Sequence, residues 1–129
     1  MSVKQDWMRA ARCLADLITR LPDDRWETPG LGEWSLRDLV GHTTSAGVRE
    51  VVSAVDHPAP NADISTAGGY YALAQSVDPE TYAAAVAAST DDARRTGQEL
   101  GKDPSRAVQD MVSRATAKLE PVDVDAMVT

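Results

Sequence analysis

Apolar residues recur at every third or fourth position along four stretches of the chain, which is the spacing of an amphipathic α-helix. The stretches predict helices near residues 3–21, 35–55, 79–100 and 104–119. The first helix is predicted to bury Val3, Trp7, Ala10, Ala11, Leu14, Leu17, Ile18 and Leu21. The second stripe holds Leu36, Leu39, Val40, Thr43, Gly47, Val51 and Val55, and the fourth holds Val108, Met111, Val112, Ala115 and Leu119.

Residues that start or end helices lie between these stretches. Pro22 ends the first helix, and Ser35 with Asp38 three residues later predicts a capping box at the start of the second. Gly101 is predicted to cap the end of the third helix, and Asp103 the start of the fourth. The pattern therefore predicts an all-α fold in a single domain that includes the whole chain.

The connections between the helices are less regular. Trp26 and Trp34 lie in a loop rich in Pro and Gly, and we expect both indoles to pack on the helical core. Residues 61–69 form a polar connection that leads to a short aromatic-led segment at 70–74. We predict no pair of β-strands, since the alternation of Val and Asp over 120–129 is too weak for a strand.

Composition limits the size of the core. Leu, Ile, Val and Phe make up 24 of the 129 residues, whereas Ala alone contributes 20. Because Ala favours helices but buries little surface, the chain should form helices readily and bury only a small core. The Ala run at 83–88 is typical either of close helix contact or of solvent exposure, and a break in the third helix near residues 89–92 is an open alternative.

Charge and cysteine content exclude several functional classes. Asp and Glu outnumber Lys and Arg by 20 to 13, so the chain carries a formal charge of -7. We therefore expect neither nucleic-acid binding nor docking on a membrane surface. The one cysteine, Cys13, excludes an internal disulfide and fits a cytoplasmic protein. We expect Cys13 to be a small core residue rather than a reactive thiol.

The two histidines differ in their surroundings. His57 precedes Pro58 in an extended loop, so we expect it to be exposed. His42 lies four residues after Asp38 on the second helix, near its inward face. Two interpretations stay open: a histidine at the edge of the core, with its ring bonded to a carbonyl or to Asp38, or a metal ligand with Asp38 beside it. Asp38 is also explained by the capping box alone.

Two segments carry a family resemblance. Residues 21–26 read Leu-Pro-Asp-Asp-Arg-Trp, and residues 34–42 read Trp-Ser-Leu-Arg-Asp-Leu-Val-Gly-His. Together with the Pro-Gly-Leu-Gly-Glu between them, they resemble the opening of the mycothiol-dependent maleylpyruvate isomerase-like enzymes, within the DinB-like superfamily of four-helix bundles. Residues 92–119, with their Gly-Gln-Glu-Leu-Gly-Lys-Asp-Pro break, resemble the third-helix region of that family.

The resemblance implies an up-down helical bundle and a chemistry. In the family, a histidine at the position of His42 is the first ligand of a divalent metal, usually zinc, and mycothiol takes part in isomerisation or group transfer on a small-molecule substrate. The family's other ligands come from a Glu-x-x-x-His pair on a later helix, which this sequence does not contain. We therefore expect the closing metal-ligand helix to be absent from this chain and the bundle to be incomplete.

Two functional hypotheses follow. The first is a metal-assisted, mycothiol-dependent isomerase or thiol transferase whose remaining metal ligands come from a downstream segment or a partner. The second is a metal-free helical binding or regulatory module that oligomerises. An incomplete bundle would leave an apolar groove, predicted to be lined by Leu36, Leu39, Val40, Val51, Val108 and Val112. We expect a second copy of the chain, or a downstream segment, to cover this groove.

Overall fold

The computed structural model describes residues 2–123, so most of the tail considered at 120–129 lies outside the described residues. The described chain is mainly helical, which confirms the all-α prediction. Its α-helices are α1 (Val3–Thr19), α2 (Leu36–Thr44), α3 (Glu50–Val55), α4 (Ala67–Gln75), α5 (Pro79–Glu99) and α6 (Pro104–Leu119). A 3₁₀ turn (Asp23–Arg25), a π-helical segment (Ser45–Arg49) and two short strands, β1 (Pro29–Leu31) and β2 (Trp34–Ser35), complete it.

The predicted caps are present. The Ser35 hydroxyl accepts from the backbone N–H of Asp38 at 3.1 Å, and the Asp38 carboxylate accepts from the N–H of Ser35 at 3.0 Å. The Asp103 carboxylate accepts from the N–H of Arg106 at 3.2 Å, and Gly101 has φ of +72° after the end of α5. These local signals confirm where α2 and α6 begin and where α5 ends.

The second predicted helix is not a uniform α-helix. A π-helical segment from Ser45 to Arg49 separates α2 from α3. Within it, the carbonyl of Gly47 accepts a hydrogen bond from Nε1 of Trp7 on α1, at 3.0 Å. Periodicity alone did not show this interruption, because a single π turn inserts one residue without ending the helix.

The tryptophan loop folds as a small hairpin, which corrects the prediction of no strand pair. Strands β1 and β2 pair antiparallel, with Gly32 at φ +56° in the turn between them. Trp26 is buried in the core and Trp34 is half-buried, so both indoles pack on the helices as predicted. The five residues of the two strands add little stability, and the hairpin places Trp34 against His42 of α2.

The core lies between α1, α2, the π-helical segment and α6. Its buried apolar members are Ala11, Ala15, Ile18, Trp26, Val40, Val48, Leu100, Val108, Val112 and Ala115. Alanine and valine dominate this set, as the composition predicted. Small side chains let the helix backbones approach closely, but they remove little apolar surface from water.

Several side chains of α1 lie on the opposite face from the one predicted. Val3 is 81% exposed and Leu17 is 58% exposed, although both were placed on the buried stripe. Cys13 is exposed rather than a core residue. The buried face of α1 centres on Met8, Ala11, Ala15 and Ile18, which leaves position 13 on the far side of the helix.

The predicted apolar groove is filled by the molecule's own core. Val40, Val108 and Val112 are buried, while Leu36, Leu39 and Val51 are half-buried. Leu36 packs directly against the core cluster. The expectation of an open groove along these residues is therefore wrong, because α1 and the π-helical segment pack on α6 and α5 packs on α2.

The exposed apolar surface lies instead on residues 60–88, which we call the arm. Every residue of the arm is exposed, and it includes α4 and the first ten residues of α5. Helix α4 replaces the short segment predicted at 70–74, and α5 continues through 89–92 without the break considered there. Within the described residues, seven of the ten exposed large apolar side chains are in the arm: Ile64, Tyr70, Tyr71, Leu73, Val77, Tyr82 and Val86.

Candidate functional site

His42 is half-buried on α2, at the seam where α2 meets α5. Its ring lies against the indole of Trp34, with the ring centroids 5.0 Å apart and the planes tilted by 53°. Nε1 of Trp34 in turn donates to the hydroxyl of Thr90 on α5, at 3.3 Å. Trp34 of the hairpin thus lies between His42 on α2 and Thr90 on α5, with a contact to each.

The seam depends on a close contact between two glycines. A Cβ on Gly41 would lie 2.3 Å from the carbonyl oxygen of Ala93 and 2.5 Å from the amide nitrogen of Gly97. A Cβ on Gly97 would lie 2.8 Å from the carbonyl oxygen of Arg37. No side chain fits between the backbones at this crossing, so the two glycines fix the distance between α2 and α5 and place His42 beside the latter.

Arg37 strengthens the same crossing. Its guanidinium donates to the carbonyls of Gly97 and Gly101 at 3.1 and 3.0 Å, near the C-terminal end of α5. It also pairs with Glu27 at 2.6 Å and lies 5.7 Å from the ring centroid of Trp26. A cation at the C-terminal end of a helix satisfies free carbonyls and opposes the helix dipole.

A polar pair lies farther along the seam. The hydroxyl of Ser45 donates to the carboxylate of Asp92 at 2.5 Å, and Arg95 donates to the other carboxylate oxygen at 2.6 Å. The hydrogen bond from Ser45 is the main cause that lowers the pKa of Asp92 below its ordinary value, and Arg95 adds to it while burial opposes both. Asp92 is therefore held as a carboxylate that links the π-helical segment to α5.

The remaining predicted site residues have structural surroundings. The carboxylate of Asp38 completes the capping box of α2, which accounts for its position without a metal. His57 is exposed, as predicted, and its Nδ1 lies 2.7 Å from the carbonyl oxygen of Ser53. The structure therefore brings Trp34 against His42 and Thr90 against Trp34, and it does not bring His57 there.

The residues around His42 do not by themselves fit a zinc site. Zinc in proteins takes three or four ligands from nitrogen, sulfur and oxygen. Among residues 2–123, no group of three or more His, Cys, Asp or Glu side chains lies close enough together to hold a metal ion. Within the same range, neither ring nitrogen of His42 makes a hydrogen bond, so the imidazole offers one free ligand and no more.

A second surface lies beside the π-helical segment, where α3 runs next to α6. We call it the α3–α6 groove; its volume is about 420 Å³, and it is lined by Val48, Arg49, Val52, Ala107, Asp110, Met111, Arg114, Ala115 and Lys118. The floor is apolar and the rim carries three cations. Arg49 pairs with Glu99 at 3.1 Å and Lys118 with Asp56 at 2.7 Å, whereas Arg114 has no ion pair within the described chain.

The charges of the chain are segregated between the groove and the arm. Residues 50–93 contain seven Asp and Glu and neither Lys nor Arg. Three of these carboxylates, on Asp63, Asp78 and Glu80, belong to the arm. The arm is thus apolar and anionic, and the groove is apolar with a cationic rim.

Sequence reasoning missed the partners from α5 and the groove. Ser45 and Asp92 are 47 positions apart, and no periodicity links them. The available signal was local: Gly97 in the interior of a predicted helix indicates a close backbone approach, as Gly41 does on its own helix.

Comparison with known proteins returned no matching family model, no similar curated protein and no matching solved structure. None of the helices formed by residues 2–123 is both long enough and apolar enough to cross a membrane.

Proposed function

We propose that this protein is a DinB-like helical module that acts as a homodimer, with the arm as its assembling element. The observation that carries the proposal is the exposure of every residue from 60 to 88 together with the apolar side chains that these residues present. Monomers rarely expose large contiguous apolar patches in water, so a concentration of exposed apolar side chains in one segment favours a partner.

The length of the arm helices supports the same conclusion. Helix α4 has nine residues and exposes Tyr70, Tyr71 and Leu73, each by more than half. A helix shorter than about 12 residues is marginal in water and is stabilised mainly by packing of its apolar face. Because α4 buries no residue in its own chain, a partner would supply that packing.

The charge of the arm favours a protein partner. The arm has carboxylates and no Lys or Arg, so it would be repelled by phosphate backbones and anionic lipid headgroups. Tyrosine, which supplies three of its large side chains, is enriched at the centres of protein interfaces.

Sedimentation velocity over a range of micromolar concentrations tests the proposal. Wild type is expected to shift from monomer to dimer as concentration rises, and Tyr70→Ser/Tyr71→Ser/Leu73→Ser to stay monomeric. Leu17→Ser/Leu31→Ser is the matched control, because both residues are exposed outside the arm; this variant should dimerise like wild type. A wild type that stays monomeric throughout, or a control as weakened as the arm variant, contradicts the proposal.

A second candidate function follows from the free imidazole. A half-buried His42 whose ring nitrogens have no hydrogen bond within residues 2–123 favours a ligand role. We propose that, if the chain acts as a mycothiol-dependent isomerase or thiol transferase, His42 supplies one ligand of a divalent metal such as zinc. The other ligands would come from a second copy or from a further segment.

Zinc uptake separates the two candidates. Equilibrium dialysis would compare wild type with His42→Ala, using His57→Ala as the control for adventitious binding by an exposed imidazole. If the protein is the metal-dependent enzyme, zinc uptake should fall in His42→Ala and stay at the wild-type level in His57→Ala. Equal uptake by all three proteins contradicts a metal role for His42 and leaves the module proposal in place.

A further inference from the structure

We infer that the arm of each copy docks in the α3–α6 groove of the other copy, so that two chains exchange arms. This inference rests on the proposed homodimer and adds the surface that receives the arm. It differs from an interface along the His42 seam, because the groove lies where α6 meets the π-helical segment and α3.

The groove has the size and lining that an arm side chain needs. An apolar cavity of about 150 Å³ can hold a benzene ring, and the α3–α6 groove has about 420 Å³. Val52, Met111 and Ala115 contribute to its apolar lining. Met111 has a flexible thioether side chain that can adapt to an aromatic ring. The groove can therefore receive two large side chains such as Tyr70 and Leu73.

The charges around the groove complement those of the arm. The groove rim presents three cations, of which Arg49 is paired with Glu99 and Lys118 with Asp56, and its own carboxylate is Asp110. The arm presents three carboxylates and no cation. Arg114 has no ion pair among residues 2–123, so it is available to an external anion. Opposite potentials on two apolar surfaces favour their association and oppose pairing of each surface with itself.

An exchange of arms between two copies also gives every arm and every groove one partner. The arm of a chain does not occupy that chain's own groove, because all of its residues are exposed. Each copy thus offers one arm and one groove. A two-fold arrangement fills both grooves and covers both arms, and it closes at two copies.

Charge reversal in two separate variants tests the inference. The arm variant, Asp63→Lys/Glu80→Lys, makes the arm cationic and retains Asp78, which caps α5. The groove variant, Arg114→Glu/Lys118→Glu, makes the rim anionic. Each variant alone would bring like charges together in both contacts of its homodimer. In a mixture, the cationic arm meets the anionic rim and the native arm meets the native rim.

Each variant alone and their equimolar mixture are compared with wild type. Circular dichroism measures the helical content, and sedimentation velocity measures dimerisation. We expect each variant alone to keep its helical signal and to dimerise at least about tenfold more weakly than wild type. The mixture should form a heterodimer whose dissociation constant lies within about threefold of that of the wild-type homodimer. Arg20→Glu/Lys102→Glu, which reverses two exposed charges outside the groove, should dimerise like wild type.

The homodimer and the docking of the arm in the α3–α6 groove can fail separately. If wild type dimerises but the mixture shows no recovery, or the groove variant dimerises as strongly as wild type, the groove is not the receptor and the homodimer proposal stands. If wild type is monomeric, both fail. If a reversal costs a variant its helical signal, the neutral variant Asp63→Asn/Glu80→Gln or Arg114→Gln/Lys118→Gln replaces it, and a helical neutral variant that dimerises as strongly as wild type overturns the inference.

Discussion

The two ends of α5 have different surroundings. Its C-terminal half packs on α2 through Gly97, with Ala93 and Thr96 fully buried. Its first ten residues belong to the arm and bury nothing. The same helix therefore has one segment ordered by tertiary contacts and another whose apolar side chains face water. Helix propensity explains why α5 is continuous, whereas packing within the chain stabilises only its C-terminal half.

This contrast shows that a small core and a large exposed apolar surface have one cause. The bundle closes with Ala, Val and Gly at its contacts, so helices approach closely while little apolar area is buried. The larger aromatic side chains Tyr70, Tyr71 and Tyr82 lie outside that bundle. A chain with this distribution needs a second surface to bury them, and this is the basis of the proposed dimer.

The largest expected effect is at the glycine crossing. Gly41→Ala would place a methyl group 2.3 Å from the carbonyl oxygen of Ala93, and only backbone movement can relieve that contact. We expect the free energy of unfolding to fall by about 3 kcal/mol in urea titrations. Gly47→Ala is the control, because nothing lies within 4 Å of its added Cβ; its stability should be unchanged or slightly higher. Equal effects at the two glycines would contradict the account of the seam.

A pair of valines compares the bundle with the arm. Val108 is fully buried on α6, whereas Val86 on α5 is 48% exposed. Val108→Ala should cost about 2 kcal/mol of stability through lost burial and the cavity left behind. Val86→Ala should change the stability of dilute, monomeric protein by less than about 0.5 kcal/mol. Thermal melts at low concentration measure both, and a comparable loss at Val86 would mean that the arm packs within its own chain.

The smallest effect concerns pH. Because the pKa of Asp92 is lowered in the folded state, mainly by Ser45, the unfolded chain takes up a proton first as pH falls. The contribution of the ionised Asp92 carboxylate to the free energy of unfolding is complete above about pH 4, the ordinary pKa of Asp. It is lost as the pH falls through the lower pKa of Asp92 in the folded state. Asp92→Asn should remove about 1 kcal/mol of this acid-sensitive stability and flatten the pH dependence in that range.

A carboxylate of the arm provides the comparison for Asp92. The pKa of Asp78 is also lowered, mainly by the backbone N–H of Thr81, but Asp78 is exposed at the start of α5. Asp78→Asn retains a capping side chain. Its unfolding midpoint should lose less of the wild-type dependence on pH than that of Asp92→Asn, because solvent screens an exposed carboxylate. A loss as large as that of Asp92→Asn would contradict the assignment of Asp92 as the link between the π-helical segment and α5.

Local signals in the sequence were sufficient for much of the fold. The caps at Ser35 and Asp103 and the glycine at 101 act within a few residues of themselves, so the starts of α2 and α6 and the end of α5 could be predicted. The exposure of Cys13 and Leu17 could not be predicted from the sequence, because the width of the buried face of α1 depends on which neighbouring helix covers it.

The candidate site could be predicted only in part. The position of His42 on α2 and the packing of Trp34 followed from the pattern, but Thr90 and Asp92 reach the seam through the crossing of two distant helices. The groove depends on the π-helical segment at 45–49, whose register no apolar period reveals. The arm was missed because Gly68 and Gly69 at the start of α4 favour a loop by propensity.

The central claim is that the arm lacks a partner in a single chain and gains one in a second copy. Hydrogen–deuterium exchange of amides in residues 67–88, measured at dilute and at high protein concentration, tests this most directly. The account predicts rapid exchange when the protein is dilute and marked protection when it is concentrated, while α6 stays protected in both. Protection of the arm that does not change with concentration would contradict it.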